Sequence, residues 1–274
     1  MRFLITAIEI LLPFSYFATI WLYARAFFSS IKEAELLKRR FLLATLLLHF
    51  SYIILRTAAY GHPPITSIFE ILSLISFTIL LVYSYIEVRT GNSSTGYFIL
   101  ILPFFFQLCS SIFVKELSSV PPVLQSNLLG FHVSSAFLGY AAITISAVYG
   151  FLYLMLYHDI KSRQFGVIYK RLPNLETLER MSFTATVFGF VLLTIAIVVG
   201  IIWLPQAIAN FSYADPKLLG TLAIWCIYGI GLASKRIAGW RGRKIMVLSV
   251  FAFAFAMFSM TIINLFFTGF HKFY

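Results

Sequence analysis

Residues 128–157 read LLGFHVSSAFLGYAAITISAVYGFLYLMLY, thirty positions without an Asp, Glu, Lys or Arg. A helix crosses the hydrocarbon of a bilayer with roughly 20 apolar residues. This run exceeds that length, so it can tilt or project beyond the membrane. Strands of a membrane barrel would alternate in polarity, and this stretch does not. With no water inside hydrocarbon, every backbone amide must be satisfied within its own segment, which leaves the helix. His132 sits near the start of the run.

The same reading along the chain gives eight spans: 3–24, 41–56, 65–86, 97–114, 128–157, 182–204, 218–234 and 245–268. The second and seventh look short. Composition agrees: 60% of the 274 residues are hydrophobic, mean hydropathy is +0.90, and only 11% are charged, where a soluble domain is nearer a quarter. The expectation is an all-α, polytopic integral membrane bundle forming one domain over 1–274. The 30 phenylalanines suit lipid-facing surface and helix packing.

A net charge of +11 would fit a nucleic-acid binder, but the basic residues lie in short connections between apolar spans, so no nucleic-acid partner is expected. Of the 21 lysines and arginines, sixteen fall in the first, third, fifth and seventh connections. The positive-inside rule then puts those connections in the cytoplasm and both termini on the other side. Residues 1–26 do not read as a cleaved signal. The apolar run is too long, it contains Glu9, and cleavage would leave the basic stretch 25–40 outside.

This topology gathers polar chemistry at one face. His62 falls in the second connection, His132 near the outer end of the fifth span and His271 just past the eighth. Asp215 and Tyr213 lie in the third outer connection, with Trp203 and Trp225 nearby. Two neutral imidazoles across a flat apolar ligand are one way to hold haem iron; ordinary interfacial histidines are the competing reading. Arg56 and Lys217 are the outer cations available for carboxylates. His49, deep in the second span, reads first as an inter-helix hydrogen-bonding residue and second as functional. His158 reads as solvated. Asp215 beside Pro216 reads as a turn former ahead of a chemical group. Trp203 and Trp225 read as interfacial anchors before ligand walls. Cys109 and Cys226 sit in apolar runs without a CxxC, as small packing residues. No Ser/His/Asp order, phosphate-cradling glycine loop or HExxH is present.

Several segments, in order, resemble the cytochrome c assembly protein family, which includes CcsA-type synthase subunits and HemX-type proteins. GHPPITSIFEIL (61–72) is similar to its Gly-His-x-Pro segment and the Ser-Asn-x-Tyr-Glu-Ser type run that follows. LQSNLLGFHVSSAFLGYA (124–141) is similar to its Leu-Gln-Ser…His-Val…Tyr-Ala segment. SYADPKLLGTLAIW (212–225) resembles the Asp-Pro-Lys core and trailing Trp of its tryptophan-rich loop. GWRGRK (239–244) resembles its Gly-Trp-x-Gly basic loop, and GFHKFY (269–274) its terminal Gly-x-His. The resemblance implies a bacterial inner-membrane protein that binds haem b, with His132 and His271 as axial iron ligands. It adds His62, Glu70, Asp215 and Trp225 as cofactor-binding candidates. Beyond the lipid bilayer and haem, it implies a separate haem-channelling subunit or apocytochrome c as partner.

The departures favour the HemX-type branch. Tryptophans of the synthase loop are replaced by Ser212, Ala214 and Gly220, its glutamate by Leu218, and its membrane-embedded histidine by Ala233. The chain is then not expected to be an enzyme by itself, at most a subunit of a haem-attaching cytochrome c synthase. Its expected role is cytochrome c-type biogenesis, haem delivery or haem-linked regulation. The alternative is a non-haem regulatory or scaffold subunit, with a HemX-like effect on the level of glutamyl-tRNA reductase. It would meet a cytoplasmic partner through the connections 158–181 and 235–244.

Overall fold

The computed structural model describes residues 2–29, 31–114, 127–163, 165–207 and 212–266. α1 (Arg2–Ala24) runs into a π-helical turn (Arg25–Ser29), followed by α2 (Lys32–Tyr60), α3 (Ile68–Thr90) and α4 (Gly96–Phe113). Then come α5 (Asn127–Lys161), the short α6 (Val167–Arg171), α7 (Leu175–Ala207), α8 (Pro216–Arg236) and α9 (Arg243–Phe266). No strand occurs among the described residues, and seven of their helices are long and apolar enough to cross a membrane. The eighth expected span corresponds to α9, which has 24 residues; its side chains beyond Ser259 lie outside the described ones. The protein is a polytopic helical bundle, as its apolar runs indicate.

The helices reach further than hydropathy alone suggests. The spans expected at 41–56 and 218–234 belong to helices of 29 and 21 residues. Lys38, Arg39 and Arg40, expected in a connection, continue α2. Lys38 is buried: its ammonium pairs with Glu35 at 2.6 Å, one turn earlier, and stands 5.5 Å from the ring centre of Tyr23. A charged residue extends a helix when its stem packs on aromatic surface and its head finds a partner. The two cysteines also differ from expectation. Both are free and exposed, among outward-facing residues such as Phe14, Phe105, Ile230 and Phe251. An all-round apolar run does not distinguish the packed face of a helix from its lipid face.

The chain falls into two compact units, Met1–Gly130 and Phe131–Lys272. In the first, α1 packs on α2 and α4, and α3 packs on α2 and α4. Its centre is polar. Tyr16, His49, Ser73 and Gln107, all buried, form one hydrogen-bonded chain across the four helices. The Tyr16 hydroxyl meets His49 Nδ1 at 2.9 Å, and His49 Nε2 meets Ser73 Oγ at 3.0 Å. Ser73 Oγ bonds Gln107 Oε1 at 2.9 Å, Gln107 Nε2 bonds Ser111 Oγ at 3.0 Å, and Ser111 Oγ ends on the Glu9 carbonyl at 2.9 Å.

That terminal carbonyl orients the whole chain, because it can only accept. Ser111 therefore donates to it and accepts from the Gln107 amide nitrogen. The amide oxygen must then face Ser73, which donates to it and accepts from His49 Nε2–H. His49 Nδ1 is left to accept from Tyr16. One tautomer of His49 satisfies every member, as a polar group in hydrocarbon requires. The expectation that His49 bonds between helices holds.

A buried carboxylate, Glu87, accepts both the Tyr23 hydroxyl (2.5 Å) and the Tyr83 hydroxyl (2.7 Å) on one oxygen.

In the second unit, α7 packs on α8 and α8 on α9. α5 and α7 meet at Gly139 and Gly189. A Cβ on Gly189 would stand 3.1 Å from the Gly139 carbonyl oxygen and 3.3 Å from the Ile143 nitrogen. Only hydrogen allows so close a backbone approach, the small-residue packing familiar in membrane helices. Ile143, Leu193, Ile224, Tyr228, Ala252 and Ala256 form the apolar core beside that crossing. Deeper along it, Ser146 Oγ lies 2.6–3.1 Å from oxygens of Ser182, Thr186 and Ser249, beside a water-sized cavity that also reaches Tyr228.

His49→Ala should cost about 2–4 kcal/mol, since it removes two inter-helix hydrogen bonds and leaves a cavity. Thermal unfolding in mild detergent measures it, and an unchanged midpoint would contradict the chain as drawn. Nitrogen NMR of the wild-type imidazole should report the Nε2–H tautomer.

Candidate functional site

His132 sits in the second turn of α5, and most of its surface is covered by the unit. Its Nδ1 lies 2.8 Å from the Ala196 carbonyl oxygen of α7. A carbonyl only accepts, so Nδ1 carries the proton and Nε2 keeps its lone pair. No hydrogen bond among the described residues engages that Nε2. Metal-binding histidines have this arrangement: one ring nitrogen is anchored to a backbone carbonyl, which fixes the tautomer and makes the other nitrogen more basic.

Trp225 is tied to the same turn of α7. Its indole N–H donates to Thr194 Oγ1 at 2.8 Å, and its ring stacks on Phe190 with centroids 5.1 Å apart and planes 18° from parallel. The indole is a packed wall of the unit, a firmer placement than an interfacial anchor. Asp215 caps α8: its Oδ1 accepts from the backbone of Lys217 at 2.9 Å and of Leu218 at 3.3 Å. The turn-forming reading of Asp215 holds, and its effect is to seat Lys217 on the first turn of α8.

At the opposite end of this unit, Glu179 near the start of α7 binds Lys235 Nζ and the Gly242 backbone N–H, each at 2.8 Å. The basic ends of α8 and α9 and the His132–Asp215 group therefore occupy different ends of one bundle. His271, expected to share a pocket with His132, lies outside the described residues.

His62 and Glu70 belong to the first unit. Glu70 is buried in the first turn of α3 and fully engaged. Its Oε1 pairs with the guanidinium of Arg56, and its Oε2 accepts from the Thr66 backbone N–H and hydroxyl, each at 2.7 Å. Ser67 caps the same helix through the Glu70 N–H. Glu70 thus fastens the connection 61–67 to α2, a role that spacing alone did not reveal. Arg56 also lies 4.7 Å from the ring centre of Tyr60. His62 Nδ1 stands 2.9 Å from the Pro63 carbonyl oxygen. No group of three His, Cys, Asp or Glu residues able to hold a bare metal ion occurs among the described residues.

The family model for "Cytochrome C assembly protein" matches residues 34–271. The chain belongs to the cytochrome c assembly protein family. Among similar proteins, the cytochrome c biogenesis protein CcsA of Heterosigma akashiwo is 27% identical over 259 residues, covering 82% of this chain and 80% of the relative. The CcsA of Chlorella vulgaris is 26% identical over 253 residues, 81% and 80% of the two chains. Protein HemX of Brevibacillus brevis is 26% identical over 228 residues, 80% and 81%. The family match contains His62, Glu70, His132, Asp215 and Trp225 and ends at His271.

Removing Glu70 should be among the costliest single changes in this family member. Glu70→Ala leaves Arg56 buried without its counter-charge, a loss of about 3–5 kcal/mol. Adding Arg56→Gln should recover part of it. Denaturation of both single variants and the double variant in mild detergent gives the coupling; strictly additive losses would show that the pair does not act as one.

Proposed function

We propose that this protein binds haem b through His132 and His271 at the non-cytoplasmic end of its second unit, and serves cytochrome c-type biogenesis by holding haem for delivery or for haem-linked regulation. The observation that carries the reading is the His132 Nδ1–H bond to the Ala196 carbonyl, which leaves Nε2 free to ligate iron. Haem supplies an iron with four porphyrin nitrogens and open axial positions. The chain's own residues do the rest. His132 presents a basic nitrogen, Trp225 and Phe190 form a rigid aromatic wall, and Asp215 holds the first turn of α8, where Lys217 can meet a propionate. Neither His62 nor Glu70 is needed for this site.

The CcsA and HemX names of the relatives support work on cytochrome c or its haem. A haem-channelling subunit or apocytochrome c is the partner this reading calls for. Charge asymmetry supports the topology: the basic ends at 158–181 and 235–244 face the cytoplasm, and both termini face away. The chain then sits in the inner membrane of a bacterium. Ser212, Ala214 and Gly220 in place of indoles, and Ala233 in place of a histidine, favour holding haem over attaching it. A second reading has one observation behind it. Glu179 pins the 235–242 loop while Trp240 and Arg241 stay exposed, an ordered basic surface on which a cytoplasmic partner could dock.

Purified in mild detergent, the protein should show a Soret band. His132→Ala with His271→Ala should reduce it to background in the proposed site, and added imidazole should restore it in part. A double variant with the wild-type spectrum and haem content would refute the assignment.

A further inference from the structure

The end of the second unit that carries Glu179 mixes two kinds of side chain on its surface. Phe165, Val167, Tyr169, Ile237 and Trp240 are exposed there, Ile237 over 85% of its surface. Basic residues lie among them in sequence: Lys161, Arg163 and Lys170 on one connection, Arg241, Arg243 and Lys244 on the other, all exposed. Acidic residues do not balance them. Glu179 is engaged by Lys235 and the Gly242 N–H, and Glu176 is the one exposed acid among the described residues of 158–180 and 235–244. The basic stretch of the first unit is composed differently, since Glu33 and Glu35 share the start of α2 with Lys38, Arg39 and Arg40.

The depth of this surface follows from the helices it joins. α8 has 21 residues, about 31 Å at 1.5 Å per residue, which matches the hydrocarbon of a bilayer. Its last turn, with Lys235, therefore ends where the hydrocarbon ends, and residues 237–242 turn back at headgroup depth. Gly239 and Gly242 make that turn with left-handed backbone (φ 66° and 62°). The 2.8 Å bond from Lys235 to Glu179 brings the start of α7 to the same level. α6 stands just before it, seated by the buried Leu172, and the Phe165 and Tyr169 rings meet edge to face with centroids 4.8 Å apart. Large apolar residues gathered on an exposed surface mark a contact. At headgroup depth that contact is lipid: aromatic rings settle at the acyl boundary and basic groups among the phosphates.

We propose that this face binds anionic phospholipid, with Phe165, Tyr169 and Trp240 as anchors in the headgroup layer and Lys161, Lys170, Arg241 and Lys244 as partners of the lipid phosphates. A zwitterionic headgroup brings its own cation and leaves the basic excess unbalanced, whereas an anionic headgroup balances it. The inference gives to lipid the basic surface that the second reading above gives to a protein. It is independent of haem.

The test is thermal unfolding of the full-length protein in mild detergent with added phosphatidylglycerol, phosphatidylcholine or soluble glycerol phosphate. Phosphatidylglycerol should raise the midpoint about 4–8 °C above that in phosphatidylcholine, and glycerol phosphate should leave it unmoved. The quadruple variant Lys161→Gln/Lys170→Gln/Arg241→Gln/Lys244→Gln should unfold as wild type without lipid and lose that difference. Either pair alone, Lys161→Gln/Lys170→Gln or Arg241→Gln/Lys244→Gln, should lose about half of it. Phe165→Ser/Trp240→Ser should need more phosphatidylglycerol for the same rise. Arg39→Gln/Arg40→Gln, which removes two charges from the first unit, should keep the full difference. Native mass spectrometry should show phosphatidylglycerol retained on wild type and lost from the quadruple variant. Equal midpoints in the two lipids, or a difference that survives in the quadruple variant, overturns the proposal. So does an equal loss in Arg39→Gln/Arg40→Gln, which would trace the effect to net charge. A rise in glycerol phosphate as large as in phosphatidylglycerol also overturns it, by showing a site for free phosphate.

Discussion

A backbone carbonyl accepts hydrogen bonds and never donates them, and the chemistry of three histidines in this protein descends from that asymmetry. The Glu9 carbonyl sets the direction of the whole His49 chain. The Ala196 and Pro63 carbonyls fix the protons of His132 and His62. In water such choices would be blurred by exchange with solvent. Inside a bundle bounded by lipid, where each unsatisfied polar group is expensive, they become structural facts. His49 is spent at both nitrogens and can ligate nothing, whereas the other two keep one nitrogen in reserve.

The same economy explains the polar interior of the first unit. Glu70 with Arg56 of α2, and Glu87 with Tyr23 of α1 and Tyr83 of its own helix, are buried groups that tie α3 to its neighbours. Such pairs add little net stability over an apolar core, but breaking one is severe. They join α3 to α2 at one end and to α1 at the other. In the second unit the corresponding specificity comes from shape: glycine against glycine at the α5–α7 crossing, and an indole stacked and hydrogen-bonded against α7.

Much of the architecture was legible in the amino acids because hydropathy reports helix existence directly. Helix ends were not, because Lys38 and its neighbours extend α2 by burying their stems, which charge counting treats as a break. His49 and Asp215 were readable from residue type, since a buried imidazole and an Asp-Pro pair have few uses. The anchor of His132 was hidden because its partner is the main chain of Ala196, and any residue has a carbonyl. The Arg56–Glu70 pair was hidden because the connection 61–67 folds back between them. The exposure of Cys109 and Cys226 was hidden because lipid and core look alike in composition. Motif resemblance raised His132 and His271 as expected iron ligands where position alone left ordinary interfacial histidines as the competing reading.

The crossing at Gly139 and Gly189 has a mechanical meaning. His132 lies seven residues before Gly139, and Ala196 lies seven residues after Gly189, so the imidazole bond stands about 10 Å from the crossing along each helix. The touching backbones act as a fulcrum, and the histidine and its acceptor sit at matching distances on the two arms. Any wedge at the pivot would spread the arms and part the ring from its oxygen. The basicity of the imidazole's open nitrogen is therefore governed by the absence of two methyl groups about 10 Å away from it.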